Sequence, residues 1–332
     1  GEAGDDTLDG GSGADDLRGG ADNDTYLVDN AGDVIIELED EGADTVRASV
    51  NYVLTAGAHV ELLSTSNDNG TTTIDLTGNE FNQILTGDKG NNTLEGRGGA
   101  DIFVGGAGTD TVTYRNSAVG VTIDRSLTSQ AGGEAQGDII GSDVEIIEGS
   151  TKNDVFRGTT QADHFRGLAG DDTFFGNGGI DKMVGGAGDD TYHVDSLSDI
   201  VDESSASDGA GRDKIVSSIN YSLVGNEAVE DLSLSGSARI GTGNGQANRI
   251  EGTSGGDTLD GKQGSDTLVG KGGNDHYWFD SAGDQVGELA NEGTDTIHIT
   301  TTDFVTPTPE NPDPLLTFSL DTSWGANVEN VT

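Results

Sequence analysis

The chain is predicted to be all-β, a right-handed parallel β-roll or β-solenoid, on three observations. The first is a nine-residue pattern, G-G-x-G-x-D-x-U-x with U a large apolar residue, that recurs in sixteen frames without a slip inside any block. Its clearest copy is Gly185-Gly186-Ala187-Gly188-Asp189-Asp190-Thr191-Tyr192-His193. A fixed short period of this kind marks a solenoid, in which each repeat buries its apolar strip only against its neighbours. The second is composition. Hydrophobic residues make up 32% and aromatics 5% while the net charge is −44, too little apolar matter for one compact core but enough for a thin strip per coil. The third is that the stretches between blocks repeat one another and alternate as strands do, with no long helical period.

Each element follows from that frame. Residues 1–27 form the first nonapeptide block, with frames at Gly1, Gly10 and Gly19. Residues 28–77 carry longer rungs. Residues 78–113 form the second block, from Gly78, Gly87, Gly96 and Gly105, and 114–148 are an insert with a strand at Val119–Asp124 and a polar loop at Gln130–Gly137. Residues 149–193 are the third block, from Gly149, Gly158, Gly167, Gly176 and Gly185. Long rungs return over 194–242, and the fourth block covers 243–278, from Gly243, Gly252, Gly261 and Gly270. Residues 279–332 begin a third long repeat. Its four prolines, Pro307, Pro309, Pro312 and Pro314, predict an exposed loop over 306–314, because proline removes a ladder donor. Both ends fall inside recognisable pattern, so the sequence reads as cut from a longer parent.

Within a nonapeptide the glycine half turns and the D-x-U-x half is extended. Two repeats make one coil of 18 residues, so frames n and n+2 stack at about 4.8 Å. The long rungs share a second motif: Tyr26-Leu27-Val28-Asp29 matches Tyr192-His193-Val194-Asp195 and Tyr277-Trp278-Phe279-Asp280, each followed by G-x-D-x-U from Gly42, Gly211 and Gly293.

The sixth position of the nonapeptide places a carboxylate beside open glycine turns rich in backbone carbonyls. Calcium takes six to eight such oxygens in forgiving geometry. The candidate ligands are Asp6, Asp15, Asp24, Asp101, Asp110, Asp154, Asp163, Asp172, Asp181, Asp190, Asp257, Asp266 and Asp275. Gln83, Asn92 and Asn248 hold the position in the other three frames, where the loss of charge predicts weak or missing sites. Turn preference alone would not hold aspartate at one phase of a nine-residue register. Asp29, Asp33 and Asp44 and their counterparts in the other long repeats are further candidates, with turn formation an equally good account of them.

This pattern resembles the RTX (repeats-in-toxin) family, and specifically its parallel β-roll domains. The resemblance implies several calcium ions held between successive turns, a secreted or cell-surface location, export by a type I secretion machine and folding only after export. Affinity on the order of 10⁻⁴–10⁻³ M is expected, as for extracellular calcium modules. The implied use is an extracellular structural or adhesive scaffold, with cell-surface or matrix polysaccharide as a partner class. The other reading is the calcium-dependent tail of a secreted hydrolase, lyase or polysaccharide epimerase.

Other classes are disfavoured by the residues themselves. A charge of −44 repels nucleic acid and anionic membrane. No apolar run approaches the ~18 residues of a membrane span. Without cysteine there is no disulfide, thiolate metal site or cysteine nucleophile. There is no H-E-x-x-H, and Gly252-Thr253-Ser254-Gly255-Gly256 matches G-x-S-x-G only inside a nonapeptide frame, away from any strand-to-helix elbow. The five histidines, His59, His164, His193, His276 and His298, are scattered, and the chain is read as non-enzymatic.

Overall fold

The computed structural model describes residues 1–66, 70–203, 211–288, 292–299 and 330–331. The predicted proline-rich loop at 306–314 lies outside them. The chain divides into one unit of residues 1–174 and 181–186 and a second of residues 175–180 and 187–332. Each is a parallel β-solenoid, and among the described residues the only helical element is a single 3₁₀ turn, Gly133–Ala135. No helix is long and apolar enough to cross a membrane among the described residues.

In the first unit, successive strands alternate between two stacks. One stack runs Thr7–Asp9, Thr25–Val28, Thr45–Ala48, Leu62–Thr65, Ile84–Thr86, Ile102–Val104 and Ile139–Ile140, all parallel. On the other side Asp16–Arg18 pairs with Val34–Ile36 in a sheet of two, and a second parallel sheet runs through Tyr52–Val53, Leu76–Thr77, Thr93–Glu95, Thr111–Thr113, Ile146–Glu148 and His164–Ala169. In the second unit, Thr191–Val194, Lys214–Ser217, Asp231–Leu234, Arg249–Glu251, Thr267–Val269 and Gln285–Gly287 form one stack. Tyr221–Ser222, Ile240–Thr242, Thr258–Asp260, His276–Phe279, Thr296–Ile299 and Asn330–Val331 form the other. Joining parallel neighbours requires a crossover each time, and the favoured crossover is right-handed.

The register keeps the apolar residue of each rung on that of the next. Leu8, Tyr26, Val46, Leu63, Leu85 and Phe103 form one column, and Tyr192, Ile215, Leu232, Ile250, Leu268 and Val286 another. Of these only Leu8, in the first strand, is not buried. Burying one such side chain contributes roughly 1.5–3 kcal/mol, so the columns carry the core of a chain poor in apolar residues. Inside the blocks partners are 18 residues apart, as in Thr7↔Thr25 and Ile84↔Ile102. The long rungs keep the columns but vary the excursion, as in Thr25↔Thr45, Thr45↔Leu62 and Leu62↔Ile84.

The insert adds a rung without breaking the register. Ile139–Ile140 stacks on Ile102–Val104, whereas the strand predicted at Val119–Asp124 forms over Thr122–Asp124 and stacks on Val155–Arg157. An antiparallel bridge, Thr122↔Ala131, ties the loop between them.

Candidate metal site

The sixth-position aspartates line up along the turns as a ladder. One carboxylate oxygen of Asp24, Asp101, Asp110, Asp172, Asp181, Asp266 and Asp275 accepts the backbone N–H of the sixth residue one coil earlier, and Asp154 accepts that of Val121. Asp24 Oδ1 accepts from Asp6 N at 2.8 Å, Asp101 Oδ1 from Gln83 N at 2.7 Å, Asp172 Oδ1 from Asp154 N at 2.7 Å and Asp275 Oδ1 from Asp257 N at 2.7 Å. The same bond continues beyond the nonapeptides. Asp33, Asp44, Asp138, Asp213, Asp284 and Asp295 each accept the N–H of the preceding ladder residue at 2.7–3.1 Å. The insert breaks the nine-residue spacing, which hid Asp138 from sequence reasoning, whereas Asp33, Asp44, Asp213, Asp284 and Asp295 are further candidates of the long repeats and join the same ladder.

The other oxygen separates the turns into two kinds. In six frames the backbone N–H of the second residue turns inward and donates to the sixth side chain: Asn79 to Gln83, Asp88 to Asn92, Ser150 to Asp154, Thr159 to Asp163, Asn244 to Asn248 and Thr253 to Asp257, at 2.5–3.0 Å. We call these turns closed. They are the first two frames of the second, third and fourth blocks. In the frames with Gly11, Gly20, Arg97, Gly106, Leu168, Asn177, Gly186, Lys262 and Lys271 at the second position, that residue has positive φ, for example 68° at Arg97, 99° at Gly106 and 62° at Lys262. We call these turns open. No donor reaches Oδ2 of Asp15, Asp24, Asp101, Asp110, Asp266 or Asp275 in them.

A closed turn is satisfied by its own groups. Asn92 Nδ2 donates to Ile74 O at 2.7 Å, Gln83 Nε2 to Asn79 Oδ1 at 2.7 Å and Asn248 Nδ2 to Glu230 O at 3.2 Å. Asp154, Asp163 and Asp257 gain a hydroxyl from Ser150, Thr159 and Thr253 as well. An open turn instead leaves a buried anionic oxygen facing other oxygens. A Cβ placed on Gly105 would lie 2.8 Å from Asp110 Oδ2 and overlap Asp143 O, and one on Gly167 would overlap Asp172 Oδ2 and lie 2.7 Å from Gly185 O. The first glycine of a closed frame makes the same approach, as Gly78 does to Gln83 Oε1 and Gly96 O, so the cradle is common to both kinds of turn and the missing donor is what sets the open ones apart.

Burial without a donor disfavours the charged form. Asp101 and Asp266 are pushed up to about 7, first by burial and then by neighbouring acids, and Asp110 and Asp275 to about 6 for the same reasons. A cation between the oxygens removes that penalty, and a hard divalent ion fits an all-oxygen donor set. The open turns fit calcium, and the closed turns supply hydrogen-bond donors where calcium would need acceptors.

Twelve of the thirteen predicted aspartates thus fall into two groups. Asp154, Asp163 and Asp257 stand in closed turns, and Asp15, Asp24, Asp101, Asp110, Asp172, Asp181, Asp190, Asp266 and Asp275 in open ones; Asp6 follows Glu2 in the first frame. The second residue of the frame carries part of the signal, although asparagine stands in both kinds of turn, at Asn177 and at Asn79. Serine, threonine, asparagine or aspartate there can cap the turn, and a β-branched residue tolerates positive φ poorly. Two of the histidines read as scattered meet across a strand pair: His276 Nδ1 lies 2.9 Å from His298 Nε2, and Trp278 stacks on His298 with ring centroids 4.5 Å apart.

A scan against protein families matches the RTX calcium-binding nonapeptide repeat (4 copies) over residues 1–36, 77–112, 140–174, 148–183, 166–201 and 242–277, together more than half of the chain. No curated protein matches the chain.

Proposed function

Because the chain belongs to the family of RTX calcium-binding nonapeptide repeats, we propose that it is a secreted module whose β-roll folds on calcium after export and serves as an extracellular structural scaffold. The open turns hold the ions. The observation that carries this reading is the row of buried carboxylate oxygens without donors at Asp15, Asp24, Asp101, Asp110, Asp266 and Asp275. A chain of net charge −44 resists compaction until cations neutralise it. Binding energy then becomes folding energy, and calcium-poor cytoplasm keeps the chain extended for a type I export machine. A scaffold needs rigidity and reach, and stacked parallel rungs deliver both from few apolar residues.

The test is a calcium titration from chelated protein followed by far-UV circular dichroism. A cooperative change from coil to β-sheet with a midpoint on the order of 10⁻⁴–10⁻³ M is expected. A chain already folded in chelator would overturn calcium-driven folding.

A further inference from the structure

The sixteen frames end in several apolar residues, but tyrosine takes that place only at Tyr26, Tyr192 and Tyr277, the last frame of the first, third and fourth blocks. Eleven residues after each tyrosine stands a glutamate, Glu37, Glu203 and Glu288. These glutamates lie eighteen residues after Gly19, Gly185 and Gly270, where the register would place the first glycine of the next stacked frame. Inside the blocks that glycine offers a carbonyl to the cradle. Here a carboxylate side chain stands instead.

The structure brings three acids together at each of these positions: Asp24, Glu37 and Asp44; Asp190, Glu203 and Asp213; Asp275, Glu288 and Asp295. Within each group one oxygen per residue lies within 4.8 Å of the others, and all nine residues are buried. Oxygens around one calcium ion at about 2.3–2.6 Å fall within that span. In the first group the relative exposure of Asp24, Glu37 and Asp44 is 1% each, and no donor reaches Asp24 Oδ2, Glu37 Oε1 or Asp44 Oδ2. The remaining oxygens are already used. Asp44 Oδ1 accepts the Asp24 N–H at 2.7 Å, and the Tyr26 hydroxyl donates to Glu37 Oε2 while its own oxygen accepts the Gly19 N–H at 2.8 Å. Tyr192 donates to Glu203 and Tyr277 to Glu288 in the same way. Glu41 adds a fourth carboxylate beside Glu37 rather than a donor, and burial together with the charge of Asp44 raises Glu37 well above its ordinary range.

We propose that each group is a divalent-cation site of a second kind, made of three side-chain carboxylates with glutamate oriented by tyrosine, marking where a nonapeptide block passes into a long rung. It rests on the calcium reading of the open turns but uses ligands outside the nonapeptide: Glu37 and Asp44, Glu203 and Asp213, Glu288 and Asp295. Calcium is its ion, because the donors are oxygen alone. Three buried anions around a gap cost far too much to persist uncompensated, and two positive charges leave one for the surrounding amides to balance.

Calcium stoichiometry of the full chain by native mass spectrometry tests this, with D101N as a variant confined to a nonapeptide turn. The combined E37Q, E203Q and E288Q chain is expected to bind three ions fewer than wild type, and D101N one fewer. A wild-type chain that binds no calcium would sink the calcium reading as a whole. Wild-type stoichiometry retained in the triple glutamine chain, with D101N losing its ion, would overturn only the three-acid sites. Because the triple variant can fail to fold, terbium(III) emission sensitised by aromatic excitation gives a second readout. The Y26F, Y192F and Y277F chain, with every acid intact, is expected to lose more than half of the emission per bound ion. Undiminished emission would place no ion beside these phenols and overturn the proposal.

Discussion

Two neighbouring coils of the second block occupy the same fold and differ in what their turns need. The first, with Gln83 and Asn92, closes on itself: backbone N–H groups meet both side-chain oxygens, and the side-chain amides donate to Asn79 Oδ1 and Ile74 O. The second, with Asp101 and Asp110, leaves one carboxylate oxygen in each turn with no donor. The strands are alike, Ile84 on Ile102 and Thr93 on Thr111, and so are the buried columns, Leu85 on Phe103 and Leu94 on Val112. The lesson is that the nonapeptide backbone does not by itself demand a metal. An oxygen is left without a donor where an aspartate at the sixth position goes with a second residue whose positive φ turns its N–H away. Closed turns open three of the four blocks, so each of these begins with one coil whose turns are satisfied by their own groups.

Calcium removal strains this comparison most. In chelator, amides at the open rungs of Ile102 and Thr111 are expected to lose hydrogen-exchange protection at least about tenfold more than those at the closed rungs of Ile84 and Thr93. Equal loss would mean that the closed coil has no independent stability.

Acidity comes next, since it acts on several open turns together. The folded-state values of Asp101 and Asp266, about 7, and of Asp110 and Asp275, about 6, lie above the unfolded value of about 3.9. The stability from these raised groups is fully present below the unfolded value and disappears as pH rises through about 6 to 7. Calcium-free chain should therefore gain β-sheet signal as pH falls from 8 to 5, while the calcium midpoint should worsen over the same range because protons compete for the ligands. A calcium-free signal that falls on acidification would contradict the burial assigned to these acids.

D101N should convert an open turn toward a closed one and lose one ion. The stability lost at calcium a hundredfold above the site's Kd is about 2.7 kcal/mol, read as a shift in denaturant midpoint. The reverse exchange, N92D, removes the donor to Ile74 O and should cost about 1–3 kcal/mol in chelator. Calcium should recover part of that loss, and failure to recover any would show that the second residue, Asp88, controls the turn alone. The smallest effect is expected from T253V, which deletes the hydroxyl beside Asp257 at about 0.5–1.5 kcal/mol, measured by thermal melting at saturating calcium. A shift as large as that of D101N would break the division into open and closed turns.

By itself the sequence determined the solenoid, the 18-residue coil and the buried column, because a nine-residue register with one apolar phase has few ways to bury that phase. It also determined that aspartate at the sixth position faces the turn. What only the tertiary structure decided is which turns leave a carboxylate oxygen without a donor. That depends on whether the second residue's N–H points at the carboxylate or away from it, a backbone choice spread over Gly, Arg, Leu, Asn and Lys on one side and Asn, Asp, Ser and Thr on the other, with asparagine on both. The ladder through Asp138, and the meeting of Glu37 with Asp24 and Asp44, also needed the fold. These residues are separated by excursions of varying length, and only the stacking of strands brings them into one register.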